Sequence, residues 1–346
     1  MKNFLSRLLG SRRPSLYLHI GLPKTGTSAI QGLLFDNTEA LDSSGYIYPR
    51  GTIGGDSDFA YAHHNLARAA FEKDAQTWDN FQAEINSLRK KKILVSSETF
   101  SNCRHIDQLE FIAQYLEPYN TNIVVYLRRQ DDFLQALYQT IIVYGDKTMP
   151  FDEFFQAKLE EHDSFRAMDY YFLVNDLFAS VFGKDRIILK VYEKSQLHQR
   201  NLLKDFLKTV GFSTTQDFVL DVKNTNLSFD ARRLDTYRRL KKVFHGEAEF
   251  LKTARRIIRD NNKRQEFLPN NIISAEQSAL IMERVRESNE KLAREYLGRS
   301  DGELFSESFD SAMAPANTAS DEEIAGHLED LDPARAERYR AATRAD

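Results

Sequence analysis

The stretch "LYLHIGLPKTGTSAIQGLLF", residues 16–35, decides how this chain is read. It begins as an apolar strand, turns through a loop holding Gly21, Lys24 and Gly26, and resumes with apolar residues at helical spacing. A loop that feeds a helix directly presents unpaired backbone N–H groups and the positive end of the helix dipole, which suits a phosphate. Gly21 and Gly26 let the backbone come close to such an anion. Their spacing, Gly-x4-Gly, is that of a P-loop. The triphosphatase motif, however, places lysine directly after the second glycine, where this chain has Thr27, and its lysine stands earlier, at Lys24.

Working outward, "SLYLHI" (15–20), "KILVSS" (92–97), "NIVVYL" (122–127) and "RIILKVY" (186–192) are nearly continuous in apolar or β-branched residues, as strands covered on both faces must be. With helix-like segments such as 131–145 and 201–211 between and after them, each closed by a glycine, they predict an α/β fold: three layers, α/β/α, around a central parallel sheet. The strand candidates run into Ser96-Ser97-Glu98 and Arg128-Arg129, so none ends in the aspartate that helps hold Mg²⁺ in P-loop enzymes. Beyond residue 211 the chain turns to charged helices, with Ser228 and Ser274 as N-caps and a solvated face of Arg and Lys. The organisation expected is a basic segment 1–14, one domain over 15–300, and a polar, acidic tail over 301–346, either a loosely attached helix or disordered.

Net charge is −4 over 346 residues, which offers no general attraction for nucleic acid or acidic membranes, so an anion site has to be built locally. A single cysteine, Cys103, leaves no intramolecular disulfide framework and fits a reducing compartment, the cytoplasm by default. No apolar run approaches the roughly 20 residues that span a bilayer, and the opening "MKNFLSRLLGSRRP" reads as no signal. Its Phe4, Leu5, Leu8 and Leu9 with Lys2, Arg7, Arg12 and Arg13 can form a basic amphipathic turn touching the inner face of a membrane, against the alternative of a frayed terminus.

The segment "PKTGTS", Pro23 to Ser28, resembles the 5′-phosphosulfate loop of sulfotransferases that use PAPS (3′-phosphoadenosine 5′-phosphosulfate). A second element is similar to that family: "NIVVYLRRQDDFLQALYQ" runs a strand into Arg128, where these enzymes place an arginine on the cofactor's 3′-phosphate. The family's serine eight residues later is Ala136 here, which leaves that phosphate to arginine, Arg129 included, or to another group. Tyr192-Glu193 matches a pair the family sets near the adenine, while the tryptophan that cytosolic members carry after the loop is Ala29, pointing to the bacterial and carbohydrate-type branch. The resemblance runs from about residue 15 to 298. It implies a P-loop-like sulfotransferase fold, PAPS as sulfuryl donor with no metal required, cofactor contacts from Lys24, Thr25, Gly26, Thr27, Ser28, Arg128, Arg129 and Tyr192, and Lys24 at the leaving oxygen.

The transferred group needs a base on the acceptor hydroxyl. Glu98 stands just past a buried strand, at the mouth where α/β sheets bind ligands, although it can equally be a helix-start carboxylate. His63 and His64, after a glycine-rich loop, are the competing candidates, and Ser96, Ser97 and Ser101 can bond a sugar hydroxyl or cap the next helix. The expected acceptor is a hydroxyl on a carbohydrate or glycolipid. The aromatic-rich stretch 151–172 either lines a groove for it or forms core. Two other classes fit the loop: a P-loop kinase of a small metabolite with a displaced lysine, and a non-catalytic nucleotide-binding member of the fold.

Overall fold

The computed structural model describes residues 13–54, 61–87, 92–161, 167–221, 229–261, 272–309, 319–329 and 332–344. Most of the basic segment 1–14, and Ser228, therefore lie outside the described residues. The chain divides into two compact units, the first made of Met1–Arg129, Asp169–Lys223 and Arg286–Glu307, the second of Gln130–Met168, Asn224–Val285 and Ser308–Asp346.

The first unit is built on a parallel sheet of β1 (Ser15–His19), β2 (Tyr46–Ile47), β3 (Lys92–Ser96), β4 (Asn120–Leu127) and β5 (Ile187–Val191), in the order β2-β3-β1-β4-β5. Four of these are the runs legible in the sequence. β2 is new: at two residues it carries no periodicity to detect, and it exists because Tyr46 and Ile47 pair with Lys92 and Ile93. Tyr17, His19, Leu94, Val124 and Tyr126 share one face by register. Leu94, Val124 and Tyr126 are buried there with Ile30, Leu33 and Leu34 of the helix Thr27–Asp36 and Leu203, Phe206 and Leu207 of the helix Leu202–Thr209. On the opposite face Leu16, Leu18, Val95 and Val125 are equally buried, and the stretch Phe172–Phe182 and the helix Arg286–Leu297 pack against β4 and β5. The sheet is the middle of three layers, as expected.

Register also decides where the loops go. His19 pairs with Ser96 and Val124, and Leu127 with Val191, so the segments after β1, β3, β4 and β5 leave the same edge of the sheet. Residues far apart in sequence, around 20–28, 97–99, 128–129 and 192–193, are thereby collected at the carboxyl ends of parallel strands.

In the second unit Phe133, Leu134, Tyr138, Phe151, Phe154, Phe155 and Met168 form a core with Phe229, Leu234 and Ile281. This settles the aromatic stretch for these residues as core and not as a sugar platform. Ser274 caps the helix Ala275–Arg284 through a capping box with Gln277, as its sequence predicts. The helix Ala231–Val243 is capped by Asp230, which accepts from Arg233 N. Lys241, expected on a solvated face, is buried and donates to Ile142 O at 3.0 Å. The acidic stretch after residue 300 also departs from its composition: helices Asp321–Glu329 and Pro333–Thr343 bury Ile324, Leu328, Ala336 and Tyr339 with Leu240 and Phe244. A few apolar residues at helical spacing suffice for this once neighbours supply the rest of the core. Among the described residues no helix is long and apolar enough to cross a membrane.

Candidate anion-binding loop and active site

β1 hands over to the loop at His19, and three residues in it hold positive φ: Gly21 (+32°), Lys24 (+69°) and Gly26 (+77°). Thr25 closes the turn, its N–H and its hydroxyl both donating to Leu22 O, at 3.3 and 2.7 Å. Its side chain is thereby spent on the loop itself. The helix Thr27–Asp36 then starts at Gly26, whose carbonyl accepts from Ala29 N and Ile30 N. It has no side-chain cap and no acidic residue in its first turn. Among the described residues nothing accepts from the N–H groups of Gly26, Thr27 and Ser28, so a cradle of three amides at the positive end of a helix is left open.

The two glycines are required by space as well as by φ. A Cβ on Gly21 would lie 2.4 Å from Thr27 Cγ2, and one on Gly26 would lie 2.2 Å from Leu202 Cδ2 and 3.4 Å from the Tyr192 ring. Thr27 is buried and β-branched, so it cannot swing away. We expect Gly21→Ala to destabilise the first unit by about 2 kcal/mol or more, from left-handed strain plus overpacking. Urea denaturation of the variant beside the parent checks this, and an unchanged midpoint would show that the loop tolerates a Cβ there.

Lys24 is half-buried, close enough to Glu98 and Arg128 for both charges to act on its ammonium. Burial lowers its pKa, the Glu98 carboxylate opposes that shift, and the Arg128 guanidinium adds to it. Among the described residues no carboxylate comes within ion-pair distance of it. Arg128, at the end of β4, donates to Lys24 O at 3.0 Å, which holds the left-handed residue in place, and its guanidinium lies 6.0 Å from the Tyr192 ring centre. Loop, Arg128 and Tyr192 are thus brought together.

Arg129 points elsewhere, donating to Glu307 O at 2.5 Å. Glu193, matched in the sequence to a pair near the adenine, is occupied by this same segment. Its buried carboxylate accepts from Ser306 N (2.9 Å), Ser306 Oγ (3.0 Å), Glu307 N (3.2 Å) and Gln196 Nε2 (2.5 Å). Together with Arg129 it fastens the segment ending at Glu307 beside the ends of β4 and β5. Ala136 lies in the second unit, in the helix Gln130–Tyr144.

At the end of β3 the two histidines separate. His63 is fully buried: its Nε2 donates to Pro49 O at 2.9 Å, its Nδ1 accepts from Ser96 N at 3.3 Å, and its ring meets Tyr48 edge-on. Burial pushes its pKa down to about 4. It is not brought to the site. His64 is half-buried, and its Nδ1 lies 2.8 Å from Ser97 Oγ and 2.9 Å from Thr99 Oγ1. Ser97 also caps the turn Glu98–Asn102 by accepting from Thr99 N, and Ser101 donates to Glu98 O, so both serines serve the backbone. Glu98 opens that turn, half-buried, and its Oε2 accepts from Gln31 Nε2 at 2.8 Å. Gln31, on the buried side of the helix that begins at the loop, was not singled out in the sequence, since nothing local marks a glutamine whose partner is 67 residues away.

A further histidine sits beneath the loop. His19 is buried, its Nδ1 2.8 Å from Ser96 Oγ and its Nε2 without a partner, and burial pushes its pKa down to about 3. The edge therefore carries an open amide cradle, a half-buried ammonium, a guanidinium, and a carboxylate held by a neutral amide. Such a set can bind an oxyanion, balance charge on a leaving oxygen and accept a proton.

No model of a known protein family matches the chain. A protein of Archaeoglobus fulgidus described as uncharacterized is 25% identical over 215 residues, which is 62% of this chain and 56% of that protein, so the match spans little more than half of its relative. Among solved structures the chain is similar to a sulfotransferase from Alicyclobacillus acidocaldarius, at 14% identity and a TM-score of 0.39, over 74% of this chain and 98% of the other.

Proposed function

We propose that the protein is a sulfotransferase that moves a sulfuryl group from PAPS to an acceptor hydroxyl, on a carbohydrate or glycolipid. The observation that carries this reading is the open amide cradle at Gly26–Ser28 with the half-buried Lys24 ammonium beside it and the Gln31-held Glu98 carboxylate near that ammonium. These residues fit the nucleotide's phosphate, because the cradle has no internal acceptor, its helix has neither a side-chain cap nor an acidic residue in its first turn, and the Lys24 ammonium and Arg128 guanidinium lie near it. When bound, the nucleotide supplies the sulfuryl group, whose bond to a phosphate oxygen breaks as its bond to the acceptor oxygen forms.

The amides of Gly26, Thr27 and Ser28 hold the 5′-phosphate in this mechanism. Lys24 donates to the oxygen that gains charge, and Glu98 takes the proton of the acceptor hydroxyl. Gln31 fixes the carboxylate's direction, while His64, steadied by Ser97 and Thr99, contacts the acceptor. Arg128 and Tyr192 serve the nucleoside end, with Arg129 acting through the Glu307 segment. His63 takes no part. Such an enzyme would work in the cytoplasm, where the basic stretch 1–14 can meet the inner face of the membrane.

Calorimetric titration with adenosine 3′,5′-bisphosphate in the absence of Mg²⁺ tests the reading. Micromolar binding, weakened about 30-fold or more in an Arg128→Ala variant whose fold is checked by circular dichroism, is the expected result. No binding at millimolar nucleotide sinks the proposal, and binding of ATP with Mg²⁺ in its place would favour a kinase of small metabolites.

A further inference from the structure

On the outer side of the helix Leu202–Thr209 lies a groove of about 580 Å³, bounded by residues 198–199 at one end and 211–216 at the other. That volume is within the roughly 300–1,000 Å³ of small-molecule sites. Its charge is one-sided. Lys204, Lys208 and His198 line it, and none of its lining residues is acidic, in a chain that carries 51 acidic and 47 basic residues.

Some surface lysines have carboxylate partners, such as Lys73 with Asp107, Lys184 with Glu295 and Lys291 with Glu287. In the groove the partners are not carboxylates. Lys204 Nζ donates to Gln199 Oε1 at 2.9 Å, and Lys208 Nζ lies 3.3 Å from His198 Nδ1. Among the described residues no carboxylate is within ion-pair distance of either ammonium. The one acid within the helix, Asp205, is turned inward, taken by Tyr126 OH, His198 N and Lys190. The backbone that presents this end is itself constrained, with Gln199 at φ +52° and Arg200 at φ +55°, left-handed conformations that non-glycine residues rarely hold.

The remaining lining identifies the rest of the ligand. Side-chain amides of Gln199 and Gln216 and hydroxyls from Ser213 to Thr215 offer donors and acceptors of the kind that bond a polyol. Phe212 is the only aromatic residue in the lining, and its ring is already stacked on Tyr46 at 4.2 Å and set against Phe218 at 4.8 Å. There is accordingly no free platform for the bases of a single-stranded nucleic acid. We propose that this groove binds a sugar carrying a sulfate or phosphate ester, with Lys204 and Lys208 on the ester and the amides and hydroxyls on the ring hydroxyls. The site is separate from the amide cradle and does not depend on the sulfotransferase reading.

The test is calorimetry on the full chain with glucose 6-sulfate, glucose 6-phosphate, glucose and inorganic sulfate, repeated on the Lys204→Gln/Lys208→Gln double variant with its fold checked by circular dichroism. Both substitutions lie on the outer side of one helix. The expected result is binding of at least one ester, at least about tenfold tighter than glucose or inorganic sulfate, reduced about tenfold or more in the double variant and unaffected by saturating adenosine 3′,5′-bisphosphate. The preferred ester tells sulfate from phosphate as the natural group. Equal affinity for inorganic sulfate, unchanged affinity in the folded double variant, displacement by the nucleotide, or no binding of either ester at about 10 mM would each overturn the proposal. If the esters bind while the nucleotide does not, the sulfotransferase reading fails and the groove stands.

Discussion

On the sulfotransferase proposal, Lys24→Ala is expected to lower turnover of sulfuryl transfer by about 10²–10³-fold, the usual cost of removing one donor aimed at developing charge. Affinity for adenosine 3′,5′-bisphosphate should fall by less than about tenfold, since the amides of the cradle carry the ground-state phosphate. The same substitution should reshape the alkaline side of the pH–rate profile. Only the protonated ammonium can donate, and burial lowers the Lys24 pKa below that of a free lysine. Activity of the parent therefore declines at a lower pH than an exposed lysine would impose, and in the variant this limb is absent. A variant within a few-fold of the parent at every pH would remove Lys24 from the mechanism and return the chain to the non-catalytic reading of the fold.

The second large effect concerns stability and holds whatever the substrate. His19 and His63 are buried and kept neutral, with pKa values pushed down to about 3 and about 4. Below the ordinary imidazole value of about 6.5 the unfolded chain takes up a proton at each ring that the folded chain refuses. Their contribution is therefore present above that value and is lost as pH falls towards the two folded values. Between pH 7 and pH 5 each histidine should remove about 2 kcal/mol from the unfolding free energy, about 4 kcal/mol for the pair, on the order of a thousandfold in the folding equilibrium. Urea denaturation at pH 7, 6 and 5 measures the slope, and His63→Gln should reduce it by about half at whatever cost to absolute stability. An unfolding free energy that is the same at pH 5 as at pH 7 would mean that these rings are hydrated or protonated in the folded protein.

Much of this molecule is legible in one dimension. The four long strands are continuous apolar runs whose type depends only on local composition, and the loop is marked by Gly21 and Gly26, whose positive φ is a local demand. Glu98 was singled out because it stands at the end of such a run, and in a parallel sheet run ends are where ligands go, whereas Lys24, Arg128 and Tyr192 were named through the resemblance of their segments to sulfotransferase motifs. The adjacent histidines show the limit of that reasoning. Their sequence context is shared, yet His63 turns into the sheet to meet Pro49 and Ser96 while His64 faces Ser97 and Thr99. Which of two neighbours points inward depends on how the helix His64–Glu72 is seated, and no pattern of eight or ten residues carries that.

What the sequence by itself determined is the four long strands of the sheet and the glycine loop after β1, because each follows from local periodicity or backbone conformation, and it offered a list of candidate residues from side-chain type and resemblance. Only the tertiary structure decided how that list is used. It pairs Gln31 with Glu98 and His19 with Ser96, closes Glu193 around Ser306, assigns Arg128 to the loop and Arg129 to Glu307, and folds the helices Asp321–Glu329 and Pro333–Thr343 into a core. The physical reason is common to all of these. Each is a pairing of buried or half-buried groups that must be satisfied by something, and strand register and helix seating, which involve residues tens to hundreds of positions apart, choose the partner.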